Sequence, residues 1–419
     1  MVVKRDSKSY IFSLRMKVSL LLATVFIVCT CIDPYTPKLK GYDSLLTVDA
    51  LITDLNTSCT VKLTRTMQNQ NDIAPAVSDA IVYLTDDAGN TSDLLNSGGG
   101  IYKTDGIEFK GTIGRTYVLH INTSDGKEYE SEPCFMQSVP DIDSIYFEKD
   151  QQLINNGTQS LEGISIYLDS KEGDNNQYYR WAYEETWKFS VPYPKKYDYI
   201  KGGKVIPVTE IKEHCWRSSK SDIVLVRSVN SGEASAINRE PILFIASNTS
   251  DRLMSEYSIL VKQYSVSKNE YEFWNDLQRV NESGADIFAS QPFTVISNIK
   301  NIHNPTERVL GYFQVSAVKQ KRLFIPFSEF VSLHLPFYHY DTCKRIEKAP
   351  SDFTTEFGPP VTFDDLYSMF CLKEDYIFIE PAYNSLTNAL EKLVFTTPEC
   401  ADCELTGTSK KPDFWEDIY

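Results

Sequence analysis

The sequence predicts a mostly-β protein. Short runs rich in Val, Ile, Thr, Tyr and Phe alternate apolar with polar residues, and turn signals separate them. Long amphipathic helical patterns are nearly absent. Leu46, Val48 and Leu51 open the series, and Cys59, Val61 and Leu63 share one face of a second strand. Ala80-Ile81-Val82-Tyr83-Leu84 forms a third, closed by the turn Asp86-Asp87-Ala88-Gly89-Asn90, and Gly98-Gly99-Gly100 precedes Ile101-Tyr102. Tyr117, Leu119 and Ile121 fall on one face of a later strand, and Asp125-Gly126 is a hairpin turn into Glu128-Tyr129-Glu130-Ser131. A tyrosine near the start of a late strand, as Tyr117 is, marks the tyrosine corner of an immunoglobulin-like β-sandwich. One such sandwich is expected over residues 44–140.

Val139-Pro140-Asp141 marks the passage to a larger β-sandwich-type domain over residues 141–419. Ile142 to Phe147 and Ile164 to Leu168 read as strands. Tyr179, Trp181, Tyr183, Trp187 and Phe189 recur at odd positions, interrupted by Glu185, so this strand has one aromatic face. That face suits a sandwich core better than a stacking platform for sugar rings. The clearest helix runs from Lys268 to about Glu282, inserted between strands at Tyr257–Val266 and Gly311–Ile325. Ser267 and Glu270 make a capping box, Tyr271, Phe273, Trp274, Leu277 and Val280 form the inward stripe, and Gly284 stops it. Beyond Pro326 the pattern turns irregular, with Gly358-Pro359-Pro360 and many aromatics, and a Cys343–Cys371 bridge is one candidate pin for it.

Ahead of the β-rich part lies Met16 to Cys31, MKVSLLLATVFIVCTC. Lys17 leads into an apolar run, Val18 to Val28, that is shorter than the ~20 residues needed to cross a bilayer, so it reads as a secretory signal. The closing cysteine predicts cleavage before Cys31 and lipid on its thiol and amino group. Cys29 competes, but Phe26-Ile27-Val28 before it are bulky for a signal peptidase. A plainly secreted protein and a retained anchor helix are the other readings of the segment. Met16 is a more natural start than Met1. Ile32-Asp33-Pro34-Tyr35-Thr36-Pro37-Lys38 cannot form a helix or a ladder around its prolines, so residues 31–43 read as a tether. Two hydrophobic chains already give stable anchoring, so a triacylated Cys31 would hold the mature protein on its lipid bilayer.

Loss of residues 1–30 removes five basic side chains and one acidic, which takes the formal charge from −15 to −19. A surface this acidic repels phosphate backbones, so nucleic acid is excluded as a partner. Besides Cys29 and Cys31 the chain has Cys59, Cys134, Cys215, Cys343, Cys371, Cys400 and Cys403. In an exported protein these are expected to pair, and an odd count leaves at least one free. Cys400-Ala401-Asp402-Cys403 has redox or zinc spacing, yet it lies in a terminal loop without a βαβ unit or second CxxC, which favours structural disulfides. The pairing itself stays open.

No catalytic centre is legible, and no cofactor or metal is expected. GxSxG, HExxH and P-loop patterns are absent. Of the five histidines, His120 alternates with apolar neighbours, and His334, His339, Asp341 and Cys343 match no standard zinc spacing. His214 and His303 are the other two. Asp169 to Asn175 superficially suggests a calcium loop, but Lys171 and Gly173 stand where oxygen ligands are needed. Asp141 and Asp143 face one way on a strand at the domain junction. The candidate contact residues for a ligand or partner are the aromatics of the irregular region, Tyr338, Tyr340 and Tyr367, which could equally pack that region's own small core.

Several stretches resemble one family. They are Cys31-Ile32-Asp33-Pro34-Tyr35, Pro140-Asp141-Ile142-Asp143-Ser144-Ile145-Tyr146, and Tyr178-Tyr179-Arg180-Trp181 leading to Glu185-Thr186-Trp187. Cys215-Trp216, Gln291-Pro292-Phe293, Asn298-Ile299 and Gly311-Tyr312-Phe313 follow. The most specific is Cys400-Ala401-Asp402-Cys403 through Gly407 to Lys411-Pro412-Asp413-Phe414-Trp415. Together they are similar to the Bacteroidetes lipoproteins catalogued as domain of unknown function 4249, over nearly the whole mature chain. The resemblance implies an outer-membrane lipoprotein, commonly encoded beside a TonB-dependent receptor, and implies no activity. Cys59 and Cys134 depart from the usual pattern. Only Asp33 supplies an acid just after Cys31, where surface-export signals are richer, so periplasmic and surface facing both stay open. The function expected is a non-enzymatic binding or accessory lipoprotein partnering a TonB-dependent transporter in nutrient uptake. A structural or adhesive surface lipoprotein is the alternative, and an unrecognised hydrolase a third reading.

Overall fold

The computed structural model describes residues 44–416 except 56, 58, 68–72, 105–109, 156, 172, 174–176, 230–235, 284–294, 354–358 and 374. The signal segment, the lipidation site Cys31 and the tether lie outside the described residues. So do Gly284, Gln291-Pro292-Phe293, Gly358 and the end of the Asp169 loop. The protein is mostly β, as the alternation predicts.

Eight strands come first: β1 (Leu46–Thr53), β2 (Thr60–Arg65), β3 (Ile81–Asp86), β4 (Thr91–Asn96), β5 (Ile101–Thr104), β6 (Thr116–Asn122), β7 (Glu128–Ser131) and β8 (Cys134–Phe135). Period-two burial builds their core. Leu46, Val48, Ala50 and Ile52 of β1 point inward with Val61, Leu63, Tyr117, Leu119 and Ile121. Tyr117 Oη accepts the Thr112 backbone N–H at 2.8 Å, the upstream bond of a tyrosine corner.

Residues 44–140 do not complete this sheet. Two distant segments add to its ends, Ile299–Asn301 antiparallel to β7 and Leu310–Ser316 parallel to β1. Local hairpins supply only antiparallel neighbours, and a parallel partner needs a long crossover. The outer edge of β1 therefore waits for a strand more than 250 residues later in the chain (Thr47 pairs with Leu310). The end strands then meet through one side chain. Asn298 Nδ2 donates to Phe313 O, and Phe313 N donates to Asn298 Oδ1, both at 2.9 Å. The amide thus takes the place of a peptide group.

The intervening chain forms β9 (Ile142–Ile154), β10 (Gln159–Ser170), β11 (Tyr178–Ser190), β12 (Tyr197–Ile200), β13 (Lys204–Pro207), β14 (His214–Lys220), β15 (Leu225–Ser228), β16 (Ile237–Ala246) and β17 (Tyr257–Ser265). One sheet has the order β16-β10-β9. A second runs β14-β11-β17 and ends on β20 (Val318–Ile325), with β15 also on β11. Before that last strand come α1 (Lys268–Ser283), β18 (Ile299–Asn301) and β19 (Leu310–Ser316). Ile164, Ile166 and Leu168 of one sheet share a core with Trp181, Trp187, Ile259 and Val261 of the other. Tyr179 and Trp181 are at most 1% exposed, so the aromatic face is core and offers no stacking platform.

Past β20 follow α2 (Phe327–Ser332), β21 (Ile346–Lys348), α3 (Phe363–Tyr367), β22 (Ile377–Tyr383) and β23 (Leu390–Thr396). The stretch read as irregular contains a sheet of order β21-β23-β22 with its own core, Leu366, Phe370, Phe378, Leu393 and Phe395. Tyr197, Tyr199 and Val205 of the β12–β13 hairpin pack on it. Register shifts at Phe378/Glu380 and Ala382/Tyr383 break the alternation that would have announced it.

The disulfides are Cys215–Cys403 and Cys343–Cys400. The proposed Cys343–Cys371 bridge is not formed. Cys371 sits on the helical turn Ser368–Lys373, half-buried against the C-terminal core, and burial pushes its thiol up to about 11. Cys400 and Cys403 instead divide between two distant partners, tying the C-terminal segment to β14 and to the loop after α2. Cys59 and Cys134 are free, as is Cys371.

Candidate functional site

The three candidate contact tyrosines do not converge. Tyr340 donates from its hydroxyl to Ser190 O at 3.0 Å, and Tyr338 packs on its ring at 5.0 Å. Tyr367 stacks on Tyr199 at 4.9 Å, inside the small C-terminal core. All three are partly exposed, and each also packs against a neighbouring side chain. His334 and His339 gather no ligand set, and no group of three metal-binding side chains occurs among the described residues. Asp141 pairs with Lys319 at 3.0 Å, and Asp169 holds Ser144 Oγ and the Arg239 N–H. His120 lies on the sheet surface, stacked on Tyr83 with Thr85 Oγ1 at 2.9 Å.

Two clusters of buried charge remain among the described residues. The first borders the core shared by the β16-β10-β9 and β14-β11-β17-β20 sheets: Glu185 accepts from Tyr257 Oη at 2.7 Å and pairs with Arg252 at 3.6 Å. Beside it, Asp251 accepts from Trp187 Nε1 at 3.0 Å and meets Arg217 at 3.4 Å. Every carboxylate there is partnered, and the arrangement is a satisfied internal network.

The second cluster borders a cleft, where α1 begins against β8 and β19. A cavity of about 310 Å³ lies there, lined by Glu132, Cys134, Asn269, Glu270, Asn298 and Tyr312, among others. An adjoining hollow of about 330 Å³ shares Glu132, Asn269, Asn298 and Tyr312 and adds Phe273, whose ring lies 4.8 Å from Tyr312. Glu270 is the unusual member. Half of its capping box exists, since Ser267 Oγ accepts the Glu270 N–H at 3.1 Å. The carboxylate does not complete the box. It turns inward and is 2% exposed, with a long hydrogen bond from Ser316 Oγ at 3.5 Å. The Trp274 indole N–H lies beside the carboxylate and favours its charged form, although it and Glu270 Oε1 fall outside strict hydrogen-bond geometry. Arg180, held over the Tyr264 and Trp274 rings at 4.3 and 4.8 Å, forms no ion pair with it.

Burial dominates the outcome. It raises the Glu270 carboxyl from its ordinary 4.5 to about 7, against smaller opposing effects of Arg180, Trp274 and Ser316. Burial first, and then Glu270, push the Cys134 thiol up to about 12, and the same two causes raise Tyr312. The folded protein therefore holds a proton on Glu270 that the unfolded chain releases above about 4.5. Stability should fall as pH rises from there to about 7, by on the order of 3 kcal/mol. Urea unfolding across that range checks it: Glu270→Gln should flatten the slope and be the more stable protein at neutral pH. An unchanged slope would contradict it.

The sequence named Glu270, Asn298 and Tyr312 without grouping them as a site. The spacing from Ser267 marks Glu270 as a capping residue, and Asn298 and Tyr312 fall in separate motifs. Only the late return of β18 and β19 to the first sheet places them together.

The fold defines a mostly-β protein with a disulfide-tied C-terminal segment, and no helix among the described residues is long and apolar enough to cross a membrane. The family model described as "Domain of unknown function (DUF4249)" matches residues 32–322, more than half of the chain, and the protein belongs to that family. The match ends before the Cys400 to Trp415 stretch. No curated protein matches the chain. Among solved structures it is similar to one described as "Biofilm associated protein - BSP domain", at 9% identity and a TM-score of 0.11. That alignment covers 71% of this chain and 62% of the other, less than two thirds of its length, and carries no argument.

Proposed function

We propose that the protein is an outer-membrane lipoprotein, anchored through acylated Cys31, which acts as a non-enzymatic binding or accessory partner of a TonB-dependent transporter in nutrient uptake. The observation that carries the anchor is the Met16–Cys31 segment, a short apolar run that closes on a cysteine ahead of a proline-broken tether. Two disulfides between remote segments support an oxidising, exported setting. The transporter partner rests on the resemblance to Bacteroidetes lipoproteins encoded beside such receptors. The mechanism is capture and delivery: anchoring confines both partners to one membrane, and ligand held at the barrel mouth has a raised effective concentration there.

Metabolic labelling with a palmitate analogue, followed by membrane fractionation, tests the anchor. Wild type and Cys29→Ala should be labelled and sediment with the outer membrane, while Cys31→Ala should lose label and location together. Label persisting in Cys31→Ala would overturn the assignment.

A further inference from the structure

We infer that the cavity between α1 and the outer face of β11, beside β15, binds a small organic carboxylate, whose oxygens take the outer nitrogens of Arg180 and whose apolar body rests on Trp274 and Leu277. This deepens the reading of the protein as a binding component and rests on it. The cavity measures about 260 Å³, at the small end of ligand sites, and Arg180, Asp222, Ile223, Leu225, Trp274 and Leu277 are among the residues that line it. Arg180 stands on the outer side of β11, since its neighbours Tyr179 and Trp181 point into the core. The rings of Tyr264 and Trp274 hold its guanidinium at 4.3 and 4.8 Å, so the group is fixed before a ligand arrives. No oxygen of the protein answers it. Arg180 makes no ion pair or hydrogen bond among the described residues, whereas Arg217, Arg252 and Arg322 around the same sheet each reach one, on Asp251, Glu185 and Ser258. Its Nε is sealed without a partner, the only one of the three guanidinium nitrogens so sealed. The outer two, which form the fork that grips a carboxylate, stay open at the cavity wall. Neighbouring carboxylates are committed elsewhere. Glu184, on the same face of β11, holds Lys262 at 2.8 Å. Glu270 approaches from α1 without pairing, and burial favours its neutral form.

These features select the ligand chemistry. An ammonium would lie against Arg180 and find only Asp222, an exposed residue whose charge raises Tyr183 and Glu185 on the other face of β11. A divalent cation lacks its ligand set among the described residues. A neutral molecule would leave the guanidinium charge unanswered. A monocarboxylate supplies one charge and two acceptors in the geometry of the fork, and its carbon body covers indole and leucine surface.

The test is calorimetry on the full-length protein in detergent with three probes of one shape: 3-phenylpropionate, 3-phenylpropanol and 3-phenylpropylamine. At about pH 7 the acid should bind at least about tenfold tighter than the alcohol, and the amine should not bind. Arg180→Gln should erase the preference for acid over alcohol, and Arg180→Lys should keep only part of it, since an ammonium lacks the fork. A second measurement uses the wild-type protein, so it decides the matter even where the variants fold poorly. Phenylglyoxal, read by peptide mass spectrometry, should modify Arg180 in the free protein, and the acid at about ten times its Kd should slow that reaction about tenfold. Arg308, which is exposed elsewhere, should react alike with and without the acid. No acid binding by wild type, equal binding of acid and alcohol, a preference that survives Arg180→Gln, or an Arg180 that the acid does not protect would overturn the site. Failure here leaves a co-purified transporter standing, and its absence would leave carboxylate binding standing.

Discussion

Cys215→Ser is expected to lower the unfolding free energy by about 2–5 kcal/mol and to release the C-terminal segment. Cys215 is fully buried on β14 and reaches Cys403 across 188 residues, so the bond removes a large loop from the unfolded ensemble. Weaker contacts depend on it. Trp216 and Thr408 exchange both backbone hydrogen bonds, at 2.8 and 2.9 Å, and the Cys403 N–H donates to Lys212 O. The Arg217 Nε–H donates to Thr406 O. Farther on, Trp415 packs on Phe324 at 5.6 Å and donates from Nε1 to Glu256. Without the crosslink these contacts alone hold the part of the segment beyond Cys403 to β14, while Cys343–Cys400 still ties its start to the loop after α2. Urea unfolding gives the stability change, and limited proteolysis should show early cleavage between Cys403 and Trp415. A variant as stable and as resistant as wild type would show that the crosslink is dispensable.

Gly311→Ala is the second large expected effect, at about 3 kcal/mol or more. Gly311 has φ +88°, a conformation only glycine adopts freely, and it pairs with Val48 in the parallel ladder of β1 and β19. A Cβ there would stand 1.8 Å from Val48 O and 2.8 Å from its carbonyl carbon. Backbone cannot rotate away as a side chain can, so the strands must separate or the variant fails to fold. The neighbouring Asn298–Phe313 bonds would be lost with them. Thermal unfolding or soluble yield reads the loss, and a wild-type melting temperature would contradict the pairing.

The part of this architecture that is local was legible in the residues. The alternation of β1 and β6, the tyrosine corner at Tyr117, the aromatic core strand and the helix from Lys268 all rest on neighbours within a few positions. What stayed hidden depends on remote pairing. Nothing near Leu310 says that it lies parallel to Thr47, and nothing near Cys343 distinguishes Cys371 from Cys400. The C-terminal sheet was concealed because bulges around Pro381 shift the period that identifies a strand. Glu270 shows a different failure. Its spacing from Ser267 is that of a capping box, and the backbone half of the box forms, but the pull of the cap does not bind the carboxylate. A residue that breaks a local rule in this way is found only once the fold is known, and it is there that the cleft lies.

The central proposal is a lipoprotein that works with a transporter, and its most direct test is recovery of the tagged protein from outer membranes in mild detergent. The account predicts a TonB-dependent barrel in stoichiometric amount with wild type and none with Cys31→Ala. The lipoprotein recovered alone from intact outer membranes would contradict it and favour an adhesive or structural role.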